Sequence, residues 1–270
     1  MLITRTISEV REALRDRQVA FVPTMGSLHE GHASLLRTAA ETGLTPVVSI
    51  FVNPTQFNDP NDFEKYPRDL DADASIAEDC GCEVVFAPSA SEVYEEGDST
   101  TVRVTGLTER WEGEHRPGHF DGVATVVAKL FLIVQPNIAI FGEKDWQQCA
   151  TITRMVQDFH MPIELKFCPT VRESDGLAMS SRNARLSPDA RVAAAGLYRS
   201  LRLVAEGRPK DFREMEAQTK ENLLDHGFAS VDYLAVVDEN SLELTSSSAN
   251  ARVIAAAWID GVRLIDNIAV

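Results

Sequence analysis

The chain of 270 residues carries 26 Lys plus Arg against 41 Asp plus Glu, a formal net charge of −15. Its 44% hydrophobic and 25% charged residues are those of an ordinary globular protein and argue against a disordered chain. The acidic balance argues against nucleic acid as a partner, because a phosphate backbone needs clustered Lys and Arg; a small anionic substrate in a local pocket stays open.

The negative charge is uneven. Between Asp59 and Asp98 stand 13 acidic residues against only Lys65 and Arg68, a local balance of −11. Two readings stand: a solvated acidic face, or carboxylates that hold a divalent cation. The N-terminus has no long apolar run, and no stretch of about 18 apolar residues is present to span a bilayer, so no membrane partner is expected. Cys80, Cys82, Cys149 and Cys168 lack zinc or thioredoxin spacing and read as reduced thiols in a cytoplasmic protein.

In chain order, Val19–Val22 is a short apolar run ending at Pro23 and predicts a buried strand. Residues 32–42 place Leu35, Leu36 and Ala39 at helical spacing and stop at Gly43. A second buried strand is expected over 46–52, a polar helix over 69–79 and a third strand over 83–87. Residues 101–104 alternate and suggest an extra edge strand. A helix over 122–134, a strand over 138–141, a helix over 146–159 and a strand over 163–171 complete the alternation. Buried strands separated by helices imply a parallel sheet with helices on both faces, an α/β, Rossmann-like domain covering residues 1–172.

The pattern then changes. A long Ala-rich helix is expected from Pro188 to Glu206 and another over 212–226. Strands follow over 231–237, 252–259 and 262–265, the last two joined by Asp260-Gly261, a strong hairpin signal. Residues 173–270 therefore read as a smaller α+β C-terminal domain, with the hinge near 173–176.

Three polar clusters fall where chemistry is expected, at the carboxyl ends of strands and at the hinge. The first is Pro23-Thr24-Met25-Gly26-Ser27-Leu28-His29-Glu30-Gly31-His32. Its glycines allow close backbone approach, and an incipient helix N-terminus attracts phosphate. The two histidines, three apart, also leave a zinc site open, though no third ligand of ordinary spacing follows. The second is Phe141-Gly142-Glu143-Lys144-Asp145-Trp146-Gln147-Gln148, where Lys144 suits a phosphate and Gln148 a small polar substrate. The third, Asp175-Gly176-Leu177-Ala178-Met179-Ser180-Ser181-Arg182-Asn183, suits a mobile cover over a polyphosphate. Asn53-Pro54-Thr55-Gln56-Phe57 and Arg116-Pro117-Gly118-His119-Phe120 are polar where plain connectors need not be.

These segments, in this order and with the closing Arg263-Leu264-Ile265-Asp266-Asn267, resemble the pantothenate synthetase family of the nucleotidyltransferase superfamily over nearly the whole chain. The resemblance implies a Rossmann-like domain with a smaller C-terminal lid domain, assembled as a homodimer. It implies condensation of (R)-pantoate with β-alanine, driven by ATP with Mg²⁺, through a pantoyl-adenylate that yields pantothenate, AMP and pyrophosphate. ATP contacts carry over to Met25, Gly26, Ser27, Leu28, His29, Glu30, Gly31 and His32, to Gly142, Glu143, Lys144 and Asp145, and to Val171, Met179, Ser180, Ser181 and Arg182. His29, His32 and Lys144 are the catalytic candidates, with His32 the family's proposed proton donor. Gln56 matches the residue touching both pantoate and β-alanine, and Gln148 the other pantoate contact.

The magnesium ligands do not carry over residue by residue; Asp71 and Asp73 are the candidates from the acidic tract. Departures from the family pattern at Ser27, Ala33, Glu95 and Trp111 bear on local loops and the dimer surface. The alternatives are a nucleotidyltransferase acting on another acid, which has no need for both Gln56 and Gln148, a His29/His32 metallohydrolase, and a silent nucleotide-binding module.

Overall fold

Val19-Ala20-Phe21-Val22 forms the first four residues of β2 (Val19–Thr24), and its side chains are buried on both faces. Ala20 and Val22 pack with Leu36, Val48 and Ile140, while Phe21 meets Phe131 edge-on at 6.5 Å. A strand covered on both sides needs an unbroken apolar run, and this is what the sequence supplies. The computed structural model describes residues 1–208 and 211–270.

β2 sits inside a six-stranded sheet with β1 (Leu2–Thr4), β3 (Thr45–Ile50), β4 (Val84–Phe86), β5 (Ile138–Gly142) and β6 (Glu164–Cys168), in the order β1-β4-β3-β2-β5-β6. All pairings are parallel. The chain runs outward from β2 through β3 to β4, then returns to place β5 on the other side of β2. This makes β2/β5 the topological switch point, where open α/β sheets bind ligands. Helix Glu30–Ala40 lays Ala33, Leu35, Leu36 and Ala39 against β2, β3 and β5. Each fully buried leucine of this kind stabilises by roughly 1.5–3 kcal/mol. Helix His119–Val134, which starts after left-handed Gly118, contacts β2 and helix Ile7–Ala13.

A separate antiparallel sheet has the order β7-β8-β9, from Ser230–Asp238, Ala251–Ile259 and Val262–Ala269. Asp260 (φ +52°) and Gly261 (φ +71°) make the two-residue turn between β8 and β9, as Asp-Gly predicts. Leu197, Leu201, Phe212 and Leu223, from helices Gly196–Ala205 and Phe212–Asp225, form a core with Leu234, Val253 and Ala255 of the sheet.

By contacts the chain groups into two units: Met1–Gly142 with Thr151–Cys168, and Glu143–Ala150 with Pro169–Val270. The α/β, Rossmann-like class is as expected. Several local expectations are corrected. Residues 101–104 form no strand, because Val102 gives its amide to the Thr125 hydroxyl at 2.9 Å instead of to a ladder. The helix expected over 188–206 is two helices, Pro188–Ala194 and Gly196–Ala205, parted at Ala195 just before a glycine that weakens helix propagation. β1 and helix Ile7–Ala13 were not expected, although Thr6 and Glu9 form a full capping box at the start of that helix.

Candidate active site

The loop after β2 is a strained backbone supported from outside. Thr24 ends the strand, its hydroxyl donating to Ser49 O at 2.7 Å and accepting the Gly26 amide at 3.2 Å. Two left-handed residues follow, Gly26 (φ +80°) and Ser27 (φ +53°), the second uncommon for a residue with a side chain. Asp73, on helix Leu70–Asp79, accepts the Ser27 amide at 2.9 Å with one carboxylate oxygen and the Leu28 amide at 2.7 Å with the other. Asp73 is buried, whereas Asp71 on the same helix is exposed.

His29 then caps helix Glu30–Ala40. Its Nδ1 accepts the Gly31 amide at 3.1 Å, and the Nδ1 of His32 accepts the His29 amide at 3.3 Å. The two rings lie 4.1 Å apart, tilted by 38°. A neutral imidazole that accepts at Nδ1 carries its proton on Nε2. The two rings stand at a helix end that itself favours negative charge.

Each oxygen of Asp73 accepts one loop amide. Among the described residues no group of three or more His, Cys, Asp or Glu side chains is placed to hold a metal ion. The geometry fits Asp73 as an anchor for the loop.

Gln56 lies beside the same loop. Its side-chain amide donates to Met25 Sδ at 3.0 Å and its oxygen accepts from Asn53 at 3.0 Å. Asn53 is fully buried and also accepts the Tyr94 hydroxyl at 2.9 Å. Burial raises the Tyr94 pKa, which keeps that hydroxyl a donor. His119 donates from Nδ1 to the Gln56 carbonyl at 2.8 Å, and Arg116 donates to it at 3.3 Å. A Cβ on Gly122 would stand 2.5 Å from Thr55 O, so only glycine lets helix His119–Val134 come this close to the Pro54–Gln56 turn.

Gly142 ends β5 in the first unit; the remaining candidates belong to the second unit and are described within it. The turn Glu143–Asp145 carries Lys144, which is half-buried, as is Gln148 just beyond it. The side-chain amide of Asn267, on β9, donates to Glu143 O at 2.9 Å and to Lys144 O at 2.8 Å. Arg252, on β8, donates to Asn267 Oδ1 at 2.5 Å and lies 3.6 Å over the Trp146 ring. Burial lowers the Arg252 pKa from its usual value, and the Glu143 carboxylate 3.6 Å away opposes that.

A second turn in this unit carries Met179–Arg182. Met179 gives its amide to Val171 O at 3.0 Å, and Arg172 pairs with Ala178 across a hairpin turned by Gly176 (φ +95°). Ser180 caps the following turn by accepting the Arg182 amide at 3.2 Å. Arg172 makes a two-pronged pair with buried Asp266, at 2.7 and 2.9 Å, over the Tyr198 ring.

Known proteins match this chain along its whole length. The family model described as pantoate-beta-alanine ligase covers residues 2–269. The pantothenate synthetase of Cereibacter sphaeroides is 47% identical over 276 residues, covering 99% of both chains. The chain belongs to the pantoate-beta-alanine ligase family. It is an ATP-dependent ligase that joins pantoate to β-alanine and forms pantothenate. Two crystal structures agree with the fold. The pantothenate synthetase of Thermus thermophilus superimposes with a TM-score of 0.94 at 45% identity, covering 100% of this chain and 99% of that one. The ligase of Francisella tularensis, complexed with beta-gamma ATP and beta-alanine, gives 0.85 at 35% identity, with 100% and 97% covered.

Within this ligase, the residue types expected from sequence are found at loops, helix starts and turns. Sequence reasoning named Asp73, under the histidine loop, only as a metal candidate and gave no role to the other residues that hold them: Asn53 and His119 around Gln56, Asn267 and Arg252 at the Lys144 turn. The polar segments around Asn53 and His119, and the closing Asp266-Asn267, were the available signals.

Proposed function

We propose that the ligase works in two steps. Pantoate first attacks the α-phosphorus of ATP, giving pantoyl-adenylate and pyrophosphate; the β-alanine amine then attacks the activated carbonyl and releases AMP. A carboxylate is a poor acyl donor because its oxygen leaves badly, and adenylation supplies the leaving group.

The observation that carries this reading is the histidine pair. With Nδ1 of both rings accepting backbone amides, the Nε2–H edges of His29 and His32 can donate to phosphate oxygens as charge develops on the leaving pyrophosphate. His32 is the donor in this assignment, and Lys144 adds a point charge. Met25 to His32, Gly142 to Asp145, Val171 and Met179 to Arg182 contact ATP, and the last of these shields the acyl-adenylate from water. Gln56 contacts pantoate and the incoming β-alanine, and Gln148 holds pantoate. Mg²⁺ arrives with ATP as part of the nucleotide substrate.

On this reading residues 1–172 bind ATP and pantoate and residues 173–270 serve as the lid domain. The ligase works as a cytoplasmic homodimer. Among the described residues no helix is long and apolar enough to cross a membrane.

The test is AMP release with pantoate and ATP, with and without β-alanine. AMP is expected only when both acid and amine are present, whereas pyrophosphate appears in a first turnover without β-alanine. AMP formation indifferent to β-alanine, or dependent on a different acid, would overturn the assignment.

A further inference from the structure

We propose that Asn267 is a positioning residue for Lys144, acting with Arg252 and Asp266 to fix the lysine's backbone. The inference rests on the reading of Lys144 as a charge stabiliser. The turn Glu143–Asp145 is three residues long and too short to hold its own shape through helical bonds. Its carbonyls at 143 and 144 both accept from the one side-chain amide of Asn267, at 2.9 and 2.8 Å.

Asn267 is itself fixed at its other polar atoms. Its side-chain oxygen accepts from Arg252 at 2.5 Å. Its backbone amide donates to Asp266 Oδ1 at 2.8 Å, and its backbone carbonyl accepts from Arg172 at 3.2 Å. Asn267 and Asp266 are each 4% exposed, so water does not compete for these bonds. An asparagine with both carbonyls on one side and a guanidinium on the other can adopt only one amide orientation. The lysine side chain is long and flexible, so the precision of its ammonium depends on how firmly its backbone is set.

The experiment is a double-mutant cycle in the full-length protein, with β-alanine-dependent AMP formation as the readout. Asn267→Ala is expected to lower kcat about 10²-fold, the scale of a small misplacement of a reacting group, with the β-alanine KM within about twofold of wild type. In the Lys144→Ala background the same substitution is expected to lower kcat by less than about threefold, because the residue it positions is gone. Equal losses in both backgrounds would overturn the proposal and make Asn267 merely structural. If Lys144→Ala alone leaves kcat unchanged, the reading of Lys144 fails first and takes the proposal with it, a different result from equal losses.

Asn267→Asp covers the case in which the alanine variant does not fold. It keeps the size and the acceptor for Arg252 but loses both donors to the turn, and the same non-additive cycle is expected. Wild-type kcat in Asn267→Asp would overturn the proposal.

Discussion

Asp73 and Leu28 are joined by a hydrogen bond of 2.7 Å between carboxylate and amide, across 45 residues of sequence. The other carboxylate oxygen takes the neighbouring amide of Ser27, so a single buried side chain sets the backbone that leads into His29. An acidic tract that reads as solvated surface thus sends one member inward.

Gly26 tests how tightly that loop is set. A Cβ there would lie 2.7 Å from Asp73 Oδ2, on a backbone at φ +80°. Gly26→Ala is expected to destabilise the protein by about 1–3 kcal/mol in denaturant melts and to lower turnover. Asp73→Ala strands two amides, at roughly 1–3 kcal/mol each if both stay buried. Wild-type stability in both variants would mean that the loop relaxes freely.

Lys144→Ala is expected to lower kcat by about 10²–10³, the usual scale for loss of one preorganised charge stabiliser. Steady-state AMP formation measures it. A change below about threefold would leave Lys144 as a helix-start residue only.

Gln148→Ala is expected to raise the pantoate KM while ATP binding stays nearly intact. His119→Ala should do the same more weakly, since it reaches substrate only through the Gln56 carbonyl it holds at 2.8 Å. Kinetics with pantoate and ATP varied separately distinguish the two effects. A dominant rise in ATP KM would move either residue to the nucleotide pocket.

The four cysteines are free and buried, and they should be slow to react. Burial pushes the Cys82 thiol up to about 12 and raises Cys149 and Cys80 as well. A raised thiol pKa keeps the protonated, unreactive form dominant at pH 7–8, and reactivity grows only as pH climbs toward that value. Titration with a thiol reagent should find almost no fast group in the native protein and four after denaturation. Rapid modification of one native thiol would show that its site opens.

Much of the parallel sheet was legible because strands buried on both faces need continuous apolar runs, and Val19–Val22 and Ile138–Phe141 are such runs. The β8–β9 hairpin was legible because Asp-Gly suits two successive positive φ values. β1 was not, since three residues at a sheet edge carry no readable period. The side chains proposed to act on the substrates announced themselves through local spacing, His29 with His32 and Lys144 with Gln148. Their supports did not, because Asp73 lies 45 residues from Leu28 and Asn267 lies 123 residues from Lys144. Only the fold brings those partners together.

The seating of the Lys144 turn by β9 has a consequence for synthesis. A nascent chain grows from its N-terminus, and its early portion can collapse while the rest is still being made. When the ribosome has passed the Phe-Gly-Glu-Lys-Asp segment, the turn still lacks the amide that binds its two carbonyls. It acquires that partner only when residue 267 emerges. A product released shortly before residue 267 would hold all three polar clusters and still have its lysine backbone unfastened. On the role proposed for Asn267, a frameshift or early stop ahead of residue 267 would therefore lower activity sharply, and half-made ligase would act only poorly on ATP.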